Sequence, residues 1–243
     1  MFNFIKEKIL KNDSKLFTRT DIHSHLMPEL DDGCESMEKS IQLIQQMQTI
    51  GYKKLIVTPH IMTDKYPNSI KIIKQALFEL RGYLKVKNIN IEIEAAAEYF
   101  CDQSFIKLIK RNELLSFGNK YVLFELPYTR ESRYMEEAVK ELLNRGYQPV
   151  LAHPERYRFL NTVLDYRDLK KLGILFQVNI NAIAGYYGKE AQKKSLMLSS
   201  KGMVDFIGSD IHHQKHMDVF KKAVVSNYME ILFRNNKILN DTI

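Results

Sequence analysis

Two rhythms of hydrophobic spacing take turns along this chain. TRTDIH (18–23) has the short extended pattern of a strand. A helix is predicted from a Ser36 cap to about Ile50, because Met37, Ile41, Ile44 and Met47 share one face and Gly51 ends the run. KKLIVT (53–58) is the next apolar strand, and a helix over about 69–86 carries Ile73, Leu77 and Leu80 at helical spacing. Strands IEIEAAAE (91–98), YVLFEL (121–126), PVLAH (149–153), ILFQVNI (174–180) and VDFIG (204–208) follow. Helices are predicted between and after them at about 103–111, 132–145, 165–172, 189–200 and 216–236, several stopped by glycine.

Seven strands, each followed by a helix or a loop, argue for parallel strands with helical crossovers. With 243 residues, the expected fold is α/β, a closed or nearly closed (β/α) barrel. No internal repeat, low-complexity tract or Pro/Gly/Ser-rich linker divides it, so residues 18–243 are read as one domain. Residues 1–17 are read as an N-terminal helical extension, with Phe2, Ile5 and Ile9 near one face and Lys6, Lys8 and Lys11 elsewhere; packing on the barrel or fraying is favoured over membrane contact.

Composition narrows the class. No apolar run reaches the roughly 18 residues a membrane span requires, and the N-terminus has no apolar core of a signal peptide. Two cysteines, Cys34 and Cys101, make no disulfide framework, so a reducing cytoplasm is the expected setting. With 36 basic and 29 acidic residues the chain carries +7, which favours anionic partners such as nucleic acid, acidic lipid or a phosphorylated peptide. The absence of basic blocks and of RNA-binding or zinc-finger spacings counts against nucleic acid.

Chemistry gathers at the predicted strand ends. His23 and His25 close the first strand, and Asp31 and Asp32 follow on its loop. His60 follows the second strand, Glu98 the third, Glu125 the fourth and His153 the fifth; Asp210 and His212 follow the last. The C-terminal strand ends of a parallel barrel meet on one rim, so residues distant in sequence can converge there. Residues two apart on a strand point the same way, which lets His23 and His25, or Asp210 and His212, serve one ion. Mixed imidazole and carboxylate donors suit zinc, manganese or iron. Arg156, three residues past His153, has the planar fork that grips a phosphate. Lys215 and His216 on the last loop are further candidates for an anion. No cysteine has Arg six residues on, and no P-loop, dinucleotide or serine-hydrolase signature is present.

In order and spacing, D-I-H-S-H…D-D-G, T-P-H, A-A-E-Y, F-E-L-P, A-H-P-E-R-Y and G-S-D-I-H-H resemble the PHP superfamily (polymerase and histidinol phosphatase). Within it the motifs are most similar to the bacterial capsular and exopolysaccharide-type protein-tyrosine phosphatases. The resemblance implies a distorted (β/α)7 TIM-like barrel with three divalent ions, often manganese, with iron and zinc as alternatives. Its metal ligands fall on His23, His25, Asp32, His60, Glu98, Glu125, His153, Asp210 and His212, with Asp32 chosen over Asp31 because it directly precedes the glycine. Its catalytic, phosphate-holding arginine falls on Arg156. A second arginine of the last loop has no counterpart in H-H-Q-K-H-M, so Lys215 or His216 is expected to stand in.

The implied reaction is hydrolysis of phosphotyrosine by a metal-bound hydroxide. The implied partner is a bacterial tyrosine kinase with a tyrosine-rich tail that controls capsular or exopolysaccharide synthesis and export, and it supplies any membrane contact. A small-molecule phosphomonoesterase of histidinol-phosphate type would use the same site. A catalytically weak protein that docks the kinase is the third reading, disfavoured by the full ligand set.

Overall fold

The computed structural model describes residues 16–243. Most of the predicted extension over 1–17 lies outside the described residues; within them, Phe17 stacks on Phe233 with ring centroids 4.9 Å apart. Strands are β1 (Thr20–Asp21), β2 (Lys54–Val57), β3 (His60–Ile61), β4 (Glu92–Ala95), β5 (Glu98–Phe100), β6 (Tyr121–Glu125), β7 (Gln148–Ala152), β8 (Leu175–Asn179) and β9 (Phe206–Gly208). Helices are α1 (Met37–Ile50), α2 (Ile70–Val86), α3 (Gln103–Lys110), α4 (Met135–Asn144), α5 (Val163–Lys171), the single turn α6 (Ile180–Ile183), α7 (Lys189–Ser200), α8 (Gln214–Ala223) and α9 (Asn227–Asn235).

Local chemistry sets the helix starts. The side chains of Ser36, Ser69 and Asp102 accept from backbone N–H groups three residues on. Thr162 and Asp165 form a reciprocal capping box, which starts α5 at Val163. Each such cap contributes about 1 kcal/mol. The single helix expected over 216–236 is two helices. Two β-branched residues, Val224 and Val225, are followed by Ser226 in extended conformation at the start of α9.

All strand pairs are parallel, in the orders β1-β2-β4 and β3-β5-β6-β7-β8-β9. The two sheets share their chain segments. β2 and β3 are halves of one extended run, parted at Thr58 and Pro59, and proline has no N–H to give the ladder. β4 and β5 are parted likewise at Ala96 and Ala97. Past β9, Ser24 bridges Ile211 in parallel, Asp210 N–H donates to His23 O at 2.8 Å, and His25 N–H donates to Ile211 O at 2.9 Å. The hydrogen bonding therefore runs round seven parallel segments and back to the first, as the barrel expectation required.

Alternation along the strands builds two apolar layers. Leu55, Val57, Val122, Phe124, Leu151, Phe176 and Val178 face outward into the large core beneath the helices. Ile22, Ile56, Ala96, Leu123, Val150 and Phe206 face inward and pack with Phe117 into a smaller cluster that fills the lower interior. Residues two further along several of these strands keep the same facing at the upper end, and there the side chains change character.

Candidate metal centre

Glu98 stands two residues past Ala96, Glu125 two past Leu123, His60 four past Ile56 and Asp210 four past Phe206. Each follows the inward parity of its strand to the C-terminal rim. His153 has the opposite parity on β7 and is turned inward by a left-handed backbone, φ 36° and ψ 55°. Asp210 is also left-handed, at φ 50°. Such conformations are costly for residues with a Cβ and persist where the surroundings hold them. Two glycines make room for the histidines. A Cβ on Gly208 would lie 2.7 Å from the Cβ of His23, and one on Gly33 would lie 2.1 Å from the carbonyl oxygen of His25.

Glu98 is the hub. Its Oε2 lies 3.2 Å from His23 Nε2, 3.3 Å from His25 Nε2 and 3.2 Å from His60 Nδ1, and its Oε1 lies 2.9 Å from His153 Nε2. Asp210 Oδ1 is 3.5 Å from His23 Nε2, from His25 Nε2 and from His212 Nδ1. Asp32 Oδ1 is 3.5 Å from His60 Nε2 and 3.6 Å from His212 Nε2. Glu125 Oε1 is 3.3 Å from His60 Nδ1.

Among the described residues, ligand atoms within 4.8 Å of one another fall into four overlapping groups. These are His25, Asp32, His60 and His212; His23, Glu98 and His153; His23, His25 and Asp210; and His60, Glu98 and Glu125. All nine residues expected from the motifs appear among them.

The surroundings orient these donors. Gln177 Oε1 lies 2.6 Å from His23 Nδ1, and Asp31 Oδ2 lies 2.7 Å from His25 Nδ1. Each contact keeps the Nδ1 proton outside and turns Nε2 toward the cluster. Asp31 also accepts from the backbone N–H groups of Gly33 and His60. It therefore braces His25 while its neighbour Asp32 faces the cluster. On β8, Gln177 Nε2 donates to Asn179 Oδ1, and Asn179 Nδ2 donates to Asp210 Oδ2 at 2.6 Å.

The donor set fits divalent cations. His23 and His25 present Nε2 atoms only 3.3 Å apart. His60 Nδ1 is buried beside Glu98 and Glu125 with hydrogen-bond geometry to neither. The electrostatics point the same way. Burial pulls His23 and His25 down, but Glu98 with Asp210 raises the first, and Asp31 with Glu98 takes the second well above the ordinary histidine range. Burial, and then Glu98, pushes Glu125 well above the carboxylate range. Burial and His25 hold His212 down to about 4, so its ring is neutral and able to donate a lone pair. Packed carboxylates and imidazoles with these properties call for positive charge among them.

Arg156 does not pair with Glu155 or Asp165. Its Nη1 donates to Asp210 Oδ2 at 3.1 Å, and its guanidinium lies between the rings of Tyr128 and Tyr187, 4.6 and 4.3 Å from their centroids. The Tyr187 hydroxyl donates to Asp210 Oδ2 at 3.0 Å. Glu155 is instead fully buried, accepts from Asn179 N–H, and is pushed up to about 8 by that burial. Over the cluster lies a cleft of about 340 Å³ lined by Asp32, His60, Glu98, Tyr128, His153, Arg156, Tyr187, Asp210, His212, His213 and His216. His216 thus reaches the cleft, whereas Lys215 does not line it and points over the ring of Tyr186, 5.8 Å from its centroid. Arg133 lies over Tyr134 and does not line the cleft. Cys34 and Cys101 are buried free thiols, each pushed up to about 12 by burial, and neither lines the cleft.

Sequence patterns missed the supporting residues. Gln177 and Asn179 carried a readable signal, since polar side chains on the inner face of a buried strand require a partner. Tyr128 and Tyr187 carried none, because aromatics near strand ends are ordinary packing residues.

A family model described as capsular polysaccharide synthesis, CpsB/CapC, matches residues 19–238. The chain belongs to the CpsB/CapC family. The tyrosine-protein phosphatase YwqE of Bacillus subtilis is 30% identical over 236 residues, 92% of this chain and 92% of that protein. The tyrosine-protein phosphatase CpsB of Streptococcus pneumoniae is 24% identical over 238 residues, 91% of this chain and 98% of that one. A crystal structure described as belonging to the unique metal-dependent tyrosine phosphatases YwqE and CpsB superposes with a TM-score of 0.78 at 29% identity. It covers 90% of this chain and 96% of that one.

Proposed function

We propose that this CpsB/CapC-family chain is a metal-dependent protein-tyrosine phosphatase, a phosphoric monoester hydrolase carried by a single domain. The observation that supports it most is the convergence of nine donor side chains around Glu98, with the Arg156 guanidinium beside Asp210. The nine are His23, His25, Asp32, His60, Glu98, Glu125, His153, Asp210 and His212, and they hold the ions. Three manganese ions match that number of donors. When bound, divalent ions lower the pKa of water toward neutrality and offset the charge of a phosphate.

The protein's own groups do the rest. Gln177 and Asp31 fix the imidazoles of His23 and His25, so the ions do not have to reorder them. The rings of Tyr128 and Tyr187 keep the Arg156 guanidinium in place in the lining of the cleft, where it holds a phosphate oxygen through paired N–H donors. The substrate is a phosphotyrosyl protein of capsule synthesis, a bacterial tyrosine kinase whose tyrosine-rich tail reaches the cleft. On this reading the protein works in the cytoplasm, a reducing setting that suits its two free cysteines.

Purified protein is expected to hydrolyse a phosphotyrosyl peptide in preference to small phosphomonoesters, to lose that activity on chelation and to regain it with manganese. Activity that survives complete removal of metal would reject the proposal. Equal turnover of histidinol phosphate would move the substrate to a small molecule.

A further inference from the structure

A phosphomonoester brings about two negative charges, and Arg156 meets the cluster at Asp210 alone. The segment after the last strand brings His213 and His216 to the cleft, but its lysine, Lys215, points over Tyr186. A cation does stand at Asp32. The chain after β3 folds back on itself, with Met62 N–H donating to Tyr66 O at 3.0 Å and Tyr66 N–H to Met62 O at 2.7 Å. Asn68 ties this turn down, its Nδ2 donating to Leu30 O at 2.8 Å and to His60 O at 2.9 Å. The turn is thereby fastened both to the segment leading to Asp32 and to the strand that carries His60.

Two side chains on this turn touch residues of the cluster from beside the cleft, without lining it. The Tyr66 ring lies almost parallel to the His60 imidazole, 9° from it with centroids 5.3 Å apart. Lys65 Nζ lies 4.6 Å from the centroid of the Tyr66 ring and 3.9 Å from Asp32 Oδ2. The lysine side chain is 61% exposed, so its ammonium can swing from the Asp32 carboxylate to an incoming anion at little cost in burial. The aromatic face beneath it keeps it close to the cluster in either position.

On the reading that the cleft binds a phosphoester, we propose that Lys65 is the second phosphate-holding cation. It closes on the phosphate from the Asp32 side while Arg156 holds it from the Asp210 side, and Tyr66 positions the lysine. On this proposal the role expected of Lys215 or His216 falls to a residue on a different loop.

The test uses metal-loaded full-length protein with Lys65→Ala, Lys65→Arg and Lys215→Ala. The readouts are metal content, KM and kcat on a phosphotyrosyl peptide, and the Kd of inorganic phosphate by calorimetry. Lys65→Ala is expected to raise both KM and the phosphate Kd roughly three- to tenfold at unchanged metal content, the size of one partly exposed charge-assisted contact. Lys65→Arg is expected to recover most of that loss, and Lys215→Ala to have the smaller effect of the two lysines.

An unchanged phosphate Kd in Lys65→Ala overturns the proposal. So does a larger loss in Lys215→Ala, or a fall in metal content in Lys65→Ala, which would mean that the lysine acts only through Asp32. If the wild type binds phosphate in a Lys65-dependent way yet turns over no phosphotyrosyl peptide, the phosphatase reading fails and the assignment of Lys65 stands. A wild type that binds no phosphate overturns both.

Discussion

The lower and upper halves of the barrel interior are made by the same strands and behave as opposites. Below, Ile56, Ala96, Leu123, Val150 and Phe206 meet in a cluster that needs nothing added. Above, a few residues further along those segments, His60, Glu98, Glu125, His153 and Asp210 are equally hidden from solvent, with none more than 8% exposed. The lower half is held by apolar burial, roughly 1.5–3 kcal/mol for each large side chain. The upper half places carboxylates and imidazoles where burial opposes charge, and it becomes favourable only when cations or protons enter. One half is a stability element. The other holds poised ligands, kept in place by the first.

Damage to the upper half is therefore expected to cost activity rather than folding, and Glu98 gives the largest effect. Glu98→Gln keeps the shape but removes the charge that four histidines surround. Phosphatase activity is expected to fall by roughly 10²–10³-fold or more. Metal content should fall with it, while the metal-free variant stays close to metal-free wild type in melting temperature, because the histidines that Glu98 holds protonated can release their protons once its charge is gone. A clear drop in the melting temperature of the metal-free variant would show that Glu98 also supports the fold.

Damage to the lower half is expected to do the reverse. Leu123 is fully buried two residues before Glu125 on β6. Leu123→Ala should cost about 3 kcal/mol of unfolding free energy, read from denaturant midpoints. Metal stoichiometry and KM at a permissive temperature should stay near wild type. A variant that keeps its stability but loses metal would break the division between the halves.

That division decided how much the sequence could disclose. The strands were legible because apolar runs bounded by glycines need only local pattern, and the ligand positions were legible because strand ends in a parallel barrel share a rim. His153 was read at its strand end, but the left-handed turn that aims it inward follows from its surroundings, which local pattern does not carry. Asp32 was separated from Asp31 by resemblance; the physical difference is that Asp31 is spent on His25 and two backbone N–H groups. The break between α8 and α9 was missed because Val224 and Val225 fit a helical apolar pattern as readily as a turn. The placing of Lys215 outside the cleft and of Lys65 beside Asp32 depends on loops from different strands meeting, which no window of sequence shows.

The smallest effect is expected from the thiols, and it bears on which half does chemistry. Cys34 and Cys101 both belong to the apolar core that packs the helices onto the barrel. Burial pushes each thiol from 9.0 up to about 12. A raised value means that the folded protein prefers the protonated form. This contribution to stability is complete below pH 9 and is lost only as pH climbs toward 12. At pH 8 almost none of either thiol is thiolate, and only thiolate reacts with iodoacetamide. Native protein at pH 8 should thus take up almost no label and keep its phosphatase activity, while protein in denaturant should label at both cysteines. Rapid native labelling of Cys34 together with loss of activity would place a reactive thiol at the site. It would also undo the assignment of the chemistry to the histidines and carboxylates above.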